Sequence, residues 1–349
     1  MKKIISWLIV VITVFSLLTT GVNCNADNRS KNYKYTIENT KTLDSVTYSL
    51  IKKSDISTNK TTTFYAVTRL LNFEDLKTIK TINIASDIDK IPVKAILNYD
   101  LQGSYYDSIV EKINLPETIT YLGSHAFDSM KNLKEIKLPS KIKKINDFAF
   151  SGCSSLKTLV FPKKITVISK GVCSNCLSLK NVTFKSKIKT INSFAFNNCK
   201  SLKSIKLPKS LKAIYGSAFY NSGITSLKIP YNVTAKKIDY SKIKYQPFDK
   251  MKKLKSITFK NLNSGFWNGM FNGCKSLKEI HLESIKSLSN IKIRKSAFSS
   301  VKPGIKFYVK NKKLANELKT KLKKSGVKNA KIYIGKKLIY KNITDKCGF

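Results

Sequence analysis

The chain holds 349 residues, and its seven cysteines and two histidines are the side chains best suited to metal binding or nucleophilic chemistry. Cys173 and Cys176 form a C-x-x-C pair, a spacing shared by zinc sites and redox dithiols. A structural zinc needs four such ligands. His125 and His281 are read as having neither a cysteine nor an acidic partner at ligand spacing. No G-x-S-x-G, H-E-x-x-H or Walker loop occurs, and no Ser/His/Asp set stands out from the rest. The residue types thus supply no catalytic, metal or cofactor-binding site, and the expectation is a protein that is not an enzyme and needs no cofactor.

Charge offers chemistry of another kind. Lys and Arg number 65 against 21 Asp and Glu, a formal net charge of +44, and only Arg29, Arg69 and Arg294 among them are arginines. Phosphates and guanine edges are read best by the planar, bidentate guanidinium, whereas lysine is a hydrated point charge. The balance therefore implies attraction to polyanions without specific nucleic-acid recognition. With 42% hydrophobic residues the chain can still build a substantial core.

The first residues set the expected compartment. Met1-Lys2-Lys3 precedes an apolar run from Ile4 to Leu18, the basic and hydrophobic regions of a signal peptide. Cleavage after Ala26 is the first reading, lipidation at Cys24 the second, and retention as an anchor the third. Export places the protein outside the cell, secreted or at the surface, with membrane contact only through this segment if it is uncleaved. Oligomeric state is open.

Self-similarity organises most of the remaining chain. Ala126-Phe127, Ala149-Phe150, Ala195-Phe196 and Ala218-Phe219 share one period of 23 residues, with Val172-Cys173 in the vacant place. Leu133, Leu156, Leu179 and Leu202 keep the same step, as do Pro116, Pro139, Pro162 and, after Lys185, Pro208. One unit reads as an L-x-x-I-x-L strand, an I-x-x-I strand or turn and an A-F-x-x-C segment, none able to bury its apolar face alone. About eight turns are expected, stacked at ~4.8 Å. An insertion from Thr234 to Tyr240 is placed before Ile243, which then holds the place of Ile145.

Units such as Ser193-Phe194-Ala195-Phe196-Asn197-Asn198-Cys199-Lys200-Ser201-Leu202-Lys203-Ser204-Ile205-Lys206-Leu207-Pro208 resemble the BspA-type leucine-rich repeat, also called the Treponema pallidum type. The resemblance spans residues 79–309 and departs at Val172-Cys173, at Pro247-Phe248 and at the insertion after Val233. It implies a secreted or surface protein that adheres to host matrix proteins or to other cells; the charge balance, read beside it, adds an acidic glycan as a candidate ligand. The expected fold is a β-rich leucine-rich-repeat solenoid with a small N-terminal β cap over 27–78 and a C-terminal strand-helix-strand cap over 310–349, after a signal peptide at 1–26.

The register then assigns the reactive residues. Cys176 falls in a column with Met130, Cys153, Cys199, Ser222, Met251 and Cys274, which reads as core first, as a disulfide ladder second and as a metal site last. His281 takes an outward strand position, and His125 a partly exposed one. The column after the first core leucine holds Lys134, Lys157, Lys180, Lys203, Thr225, Lys255 and Lys278. Stacked ammonium groups repel one another, and a polyanion laid along them would relieve that repulsion. Those six lysines are the candidate anionic-ligand site; the competing reading is that lysine merely fills permissive surface positions. An alternative function is a basic wall-associated protein with an architectural role.

Overall fold

In the turn that starts at Leu156, the strand Thr158–Phe161 buries Leu159 and Phe161 and exposes Thr158 and Val160. Alternation of this kind sends one side of a strand to the core. Pro162 bends the chain, its carbonyl accepting from Ile165 N at 3.2 Å. The short strand Val167–Ile168 forms the second side of the turn, and residues 171–176 close the third, burying Val172, Cys173 and Cys176. The computed structural model describes residues 33–44, 46–55, 61–69, 77–97, 108–231, 233–235, 238–240, 243–262, 265–327 and 329–343. The expected signal peptide at 1–26, with Cys24, lies outside the described residues, as does Cys347.

Each side of the turn stacks on its neighbours through backbone hydrogen bonds. On the first two sides the later turn donates to the earlier one, as in Lys180 N to Lys157 O (2.9 Å) and Lys189 N to Thr166 O (2.7 Å). The third side runs the other way: Phe148, Phe150 and Gly152 donate to Lys170, Val172 and Ser174 of the following turn at 2.8, 2.9 and 2.8 Å. Left-handed residues at two columns accompany this reversal. His125, Phe148, Gly171, Phe194 and Ser217 have φ between 57° and 59°, and Asn175, Asn198 and Asn221 lie at 60°, 59° and 52°. A non-glycine residue there costs about 1 kcal/mol or more. Contacts between equivalent residues offset the strain, with His125 stacked on Phe148 at 5.1 Å and the Asn198 amide donating to Asn175 Oδ1 at 2.8 Å.

The core is a set of columns. Phe127 stacks on Phe150 (5.3 Å), Phe196 on Phe219 (5.8 Å) and Phe248 on Phe271 (6.1 Å). Cys173 interrupts this pile. Beside the gap the first-side positions hold Phe161 and Phe184, stacked at 5.6 Å, where neighbouring turns have Leu138 and Leu207. Phe184 in turn meets Phe196 edge-on at 6.4 Å. Larger residues on one side thus replace the volume missing on another, as close packing requires.

Among the described residues the solenoid makes about nine turns, one more than the sequence suggested. The insertion is also displaced. Thr234–Ala235 pairs with Ala213–Ile214, so Ala235, not Ile243, continues the second side. Val233 N bonds to Pro230 O at 3.4 Å, the same Pro-x-x-apolar turn as Pro162 to Ile165. The added residues form an antiparallel hairpin, Ile238–Tyr240 with Ile243–Tyr245. Alanine at a position usually held by isoleucine hid this register.

The two ends extend different sides. Strands β1 (Tyr33–Leu43), β2 (Val46–Asp55) and β3 (Thr61–Arg69) pair antiparallel. Strand β3 then lies parallel to Ile91–Ile96 on the second side. At the other end, Lys306–Val309, Ala330–Ile334 and Lys337–Ile343 prolong the first side. Helix α1 (Lys312–Lys324) starts at Asn311, whose side chain accepts from Leu314 N at 3.0 Å. It buries Leu314, Leu318 and Leu322 and ends before Gly326 at φ 64°. Both ends thereby occupy strand edges that would otherwise invite pairing with other chains.

Gly171 combines a left-handed φ of 58° with direct contact to the Phe148 ring, which an added Cβ would overlap. Gly335 has a similar φ of 57° with nothing within 4 Å. Gly171→Ala is expected to cost roughly 2–4 kcal/mol and Gly335→Ala about 1 kcal/mol. Thermal melts of the two variants check the ordering; equal losses would show that the Phe148 contact has no role.

Candidate functional site

The first side presents its outward residues in rows that cross the turns. Lys134, Lys157, Lys180, Lys203, Lys255 and Lys278 are all exposed, and Thr225 in the same row is half-buried. Backbone bonds join four of the neighbouring pairs, Lys180 N to Lys157 O (2.9 Å), Thr225 N to Lys203 O (3.1 Å), Lys255 N to Thr225 O (2.7 Å) and Lys278 N to Lys255 O (2.8 Å), and the 23-residue step aligns Lys134 with Lys157 and Lys180 with Lys203. Lys134 pairs with Glu111 at 2.8 Å, holding that carboxyl below its usual range. Among the described residues the other five lysines have no carboxylate partner. The row is therefore two runs of ammonium groups, Lys134 to Lys203 and Lys255 with Lys278, separated by Thr225 and closed at one end by the Glu111 carboxylate.

Two further rows escaped the sequence reading. On the second side Lys143, Lys189 and Lys212 are exposed and alternate with Thr120 and Thr166, linked by Lys143 N to Thr120 O (2.8 Å) and Lys212 N to Lys189 O (2.8 Å). Their spacing of 23 and 46 was the available signal. On the first side, Thr258, His281, Tyr308 and Tyr333 are register partners. His281 and Tyr308 stack at 4.4 Å and 4°, and Tyr308 and Tyr333 at 5.1 Å and 22°. The strands from 306 and 330 come after longer connections than a regular turn, so no fixed period marks this alignment.

Both histidines have acidic partners, contrary to the sequence reading. His125 Nδ1 lies 2.8 Å from Asp128 Oδ2, and His281 Nε2 lies 3.6 Å from Glu279 Oε2. The first pair is three residues apart and the second two, spacings that become contacts through the tight third side and the strand pleat. Glu279 also reaches Lys306 Nζ at 3.7 Å and accepts from the Tyr308 hydroxyl at 3.5 Å.

The cysteines are held as core groups. Cys153, Cys173, Cys176, Cys199 and Cys274 are free thiols with no measurable exposure. Cys153, Cys176, Cys199 and Cys274 each donate to a carbonyl of the preceding turn at 3.1 Å, from Phe127, Phe150, Cys173 and Phe248. Burial pushes the thiols of Cys153, Cys173 and Cys199 well above their usual range and that of Cys274 up to about 12. Thiolate, the form that binds metal or attacks, is thereby suppressed.

Asp249 is the one strongly perturbed carboxyl among the described residues. Gln246 N donates to its Oδ2 at 2.8 Å, while Oδ1 has no hydrogen-bond partner. Burial, opposed by the Gln246 amide and by Lys250, pushes the carboxyl up to about 6. Trp267 Nε1 donates to Gln246 Oε1, which fixes the loop that carries Asp249.

No helix among the described residues is long and apolar enough to cross a membrane. A model of the BspA type leucine-rich repeat region matches residues 73–192, 101–222, 166–303 and 236–343. Among solved structures, a leucine-rich repeat protein of T. pallidum is 24% identical, with 61% of this chain and 82% of that chain covered and a TM-score of 0.41. A leucine-rich repeat protein from Bacteroides ovatus is 19% identical over 77% of this chain and 84% of its own, with a TM-score of 0.38. The pneumococcal vaccine antigen PcpA is 19% identical over 81% and 96%, with a TM-score of 0.33. No curated protein matches the chain.

The buried groups generate two measurements. The five described thiols are expected to resist alkylation in the folded protein and to react fully in denaturant, as mass spectrometry would count; rapid native labelling at Cys176 would contradict its core placement. Asp249 holds its proton more tightly when folded, so its contribution to stability is full below its ordinary value of 3.8 and is lost as pH rises through about 6. Asp249→Asn should remove roughly 1–2 kcal/mol of pH dependence between pH 4 and 7, after allowance for solvent screening. Chemical denaturation of both proteins across that range checks it, and parallel profiles would refute the assignment.

Proposed function

From the premise that this chain belongs to the BspA-type leucine-rich-repeat family, a family of repeat-based binding proteins, we propose that it is an exported adhesion module without catalytic activity. Its ligand is an anionic surface, a host or cell-surface protein or an acidic glycan, held along the outward rows of the first side. The observation that carries this reading is the row of six exposed lysines on stacked turns, broken only at Thr225, five of them without a carboxylate partner among the described residues. Export rests on the signal segment at 1–26.

The energetics favour a ligand that spans several turns. Neighbouring ammonium groups ~5 Å apart repel by about 1 kcal/mol per pair in water, less once salt screens them and the stems splay. A polyanion relieves this repulsion at each occupied turn, so affinity grows with the number of turns covered. Relief of this size also means that charge alone gives weak, salt-sensitive binding. The wall-associated architectural reading differs on that point, because a protein held by charge alone elutes completely at high ionic strength, whereas an adhesin with apolar contacts retains part of its binding.

The test is binding to immobilised heparin and polyglutamate by a variant with Lys134, Lys157, Lys180, Lys203, Lys255 and Lys278 changed to glutamine. Its control changes Lys143, Lys163, Lys164, Lys189, Lys209 and Lys212, which are also exposed. Loss of tenfold or more beyond the control is expected at physiological salt, roughly the effect of a few charge contacts. Equal losses in the two variants would reduce the site to bulk charge.

A further inference from the structure

The outward rows of the first side change character toward the C-terminal end. The row that holds Lys137, Val160, Thr183, Lys206 and Lys228 in earlier turns continues as Thr258, His281, Tyr308 and Tyr333. It runs on into Leu338, the register partner of Tyr333, which is 42% exposed. Rings therefore gather at the C-terminal end of this row, whereas its earlier turns carry lysine or threonine and one exposed aliphatic residue, Val160.

The geometry of the rings limits what they can hold. His281, Tyr308 and Tyr333 stack on one another at 4.4 and 5.1 Å, so their faces are largely covered; His281 Nε2 and the Tyr308 hydroxyl are engaged with Glu279, which leaves the ring edges and the Tyr333 hydroxyl for a ligand. A sugar that packs on an aromatic face finds little face to use. A polypeptide is better matched, since a phenol hydroxyl can bond its backbone and the ring edges and Leu338 can receive an apolar side chain. Lys278, Lys306 and Lys331 border the row; Glu279, engaged with His281 and Lys306, and Glu283, engaged with Lys228, are the carboxylates beside them. The charge of the lysines selects a partner that is acidic around its apolar anchor.

We infer that the His281–Tyr308–Tyr333–Leu338 row is the anchor site of an acidic polypeptide segment that bears an aromatic or aliphatic side chain among its carboxylates. The inference rests on the anionic-ligand reading above and narrows its ligand from anions in general to acidic protein. Tyrosines at the centre of an interface contribute far more than surrounding charges, so the row supplies the strength and the lysines the orientation.

A random glutamate–tyrosine copolymer, polyglutamate of equal length and heparin serve as probes for the whole exported chain. The copolymer is expected to bind about tenfold more tightly than polyglutamate, with the advantage kept at high salt. Tyr308→Ser with Tyr333→Ser should abolish that advantage and leave polyglutamate and heparin binding within about twofold. If this pair fails to fold, hydrogen exchange of the wild-type protein decides instead, since copolymer but not polyglutamate should protect residues 306–309 and 330–338. Equal affinity of the wild type for the two polymers, protection elsewhere, or dependence of heparin binding on the two tyrosines would overturn the inference. Loss of polyglutamate binding on neutralising the lysine row, together with equal affinity of the wild type for the two polymers, would leave the broader reading standing while this one fails.

Discussion

Hydrogen bonding between successive turns is the constraint on which everything else in this molecule depends. Once Lys180 N is bonded to Lys157 O and Phe148 N to Lys170 O, residues one period apart must lie one above the other. A side chain is then either part of a core pile, part of a left-handed column or part of an outward row, and its neighbours in that column are its chemical environment. Strain, charge and ring stacking consequently occur as rows. His125 and Phe148 share both an unfavourable φ and the ring contact that offsets it, and the lysine row shares both its repulsion and its capacity for an extended ligand.

The same constraint determined what could be read in the sequence. The period of 23, the buried leucine, Ala-Phe and cysteine columns and the outward placement of the lysines come from spacing alone, because a hydrophobic column needs the same residue class at every turn. The left-handed columns were hidden because backbone φ there is imposed by the reversed hydrogen bonds of the third side; Phe148 and Phe194 are not residues that favour it. Ala235 was passed over for the opposite reason, since its small side chain carries too weak an apolar signal to mark a strand that pairs with Ala213–Ile214. The aromatic row lay across turns of unequal length, where only the pairing of strands from 279, 306 and 331 brings its members together.

The cysteines illustrate how register decides between chemistries. A C-x-x-C read locally suggests metal or redox work, yet Cys176 donates to Phe150 O in the turn before it, and Cys153 and Cys199 repeat the bond above and below. Sulfur suits this position because it is soft enough for the core and reaches a carbonyl that a shorter hydroxyl does not; Ser222, in the same column, is left without a partner for its hydroxyl. Substitution within the column is thus tuned by reach and size, with reactivity suppressed as a consequence of burial.

The position of the aromatic row at the end of the solenoid has a mechanical logic. Regular turns contribute strands of two to four residues to the described face, as at Glu135–Ile136 and Ser256–Phe259, whereas the final hairpin contributes Ala330–Ile334 and Lys337–Ile343. Helix α1 packs behind that hairpin, with the Tyr340 hydroxyl on Asn316 and the ammonium groups of Lys312 and Lys319 lying 4.9 and 4.4 Å from the Tyr340 ring centroid. Longer strands backed by a helix give Tyr333 and Leu338, at the end of the row, a firmer support than a short mid-solenoid strand does. His281 and Tyr308 stack onto that support from four-residue strands, and rigid support lowers the ordering cost of binding. The lysine row, spread over flexible stems on short strands, suits loose electrostatic capture instead. The proposed capture along the solenoid and the proposed anchoring at its C-terminal end are therefore separate physical tasks, one asking for spread charge and the other for a rigid support.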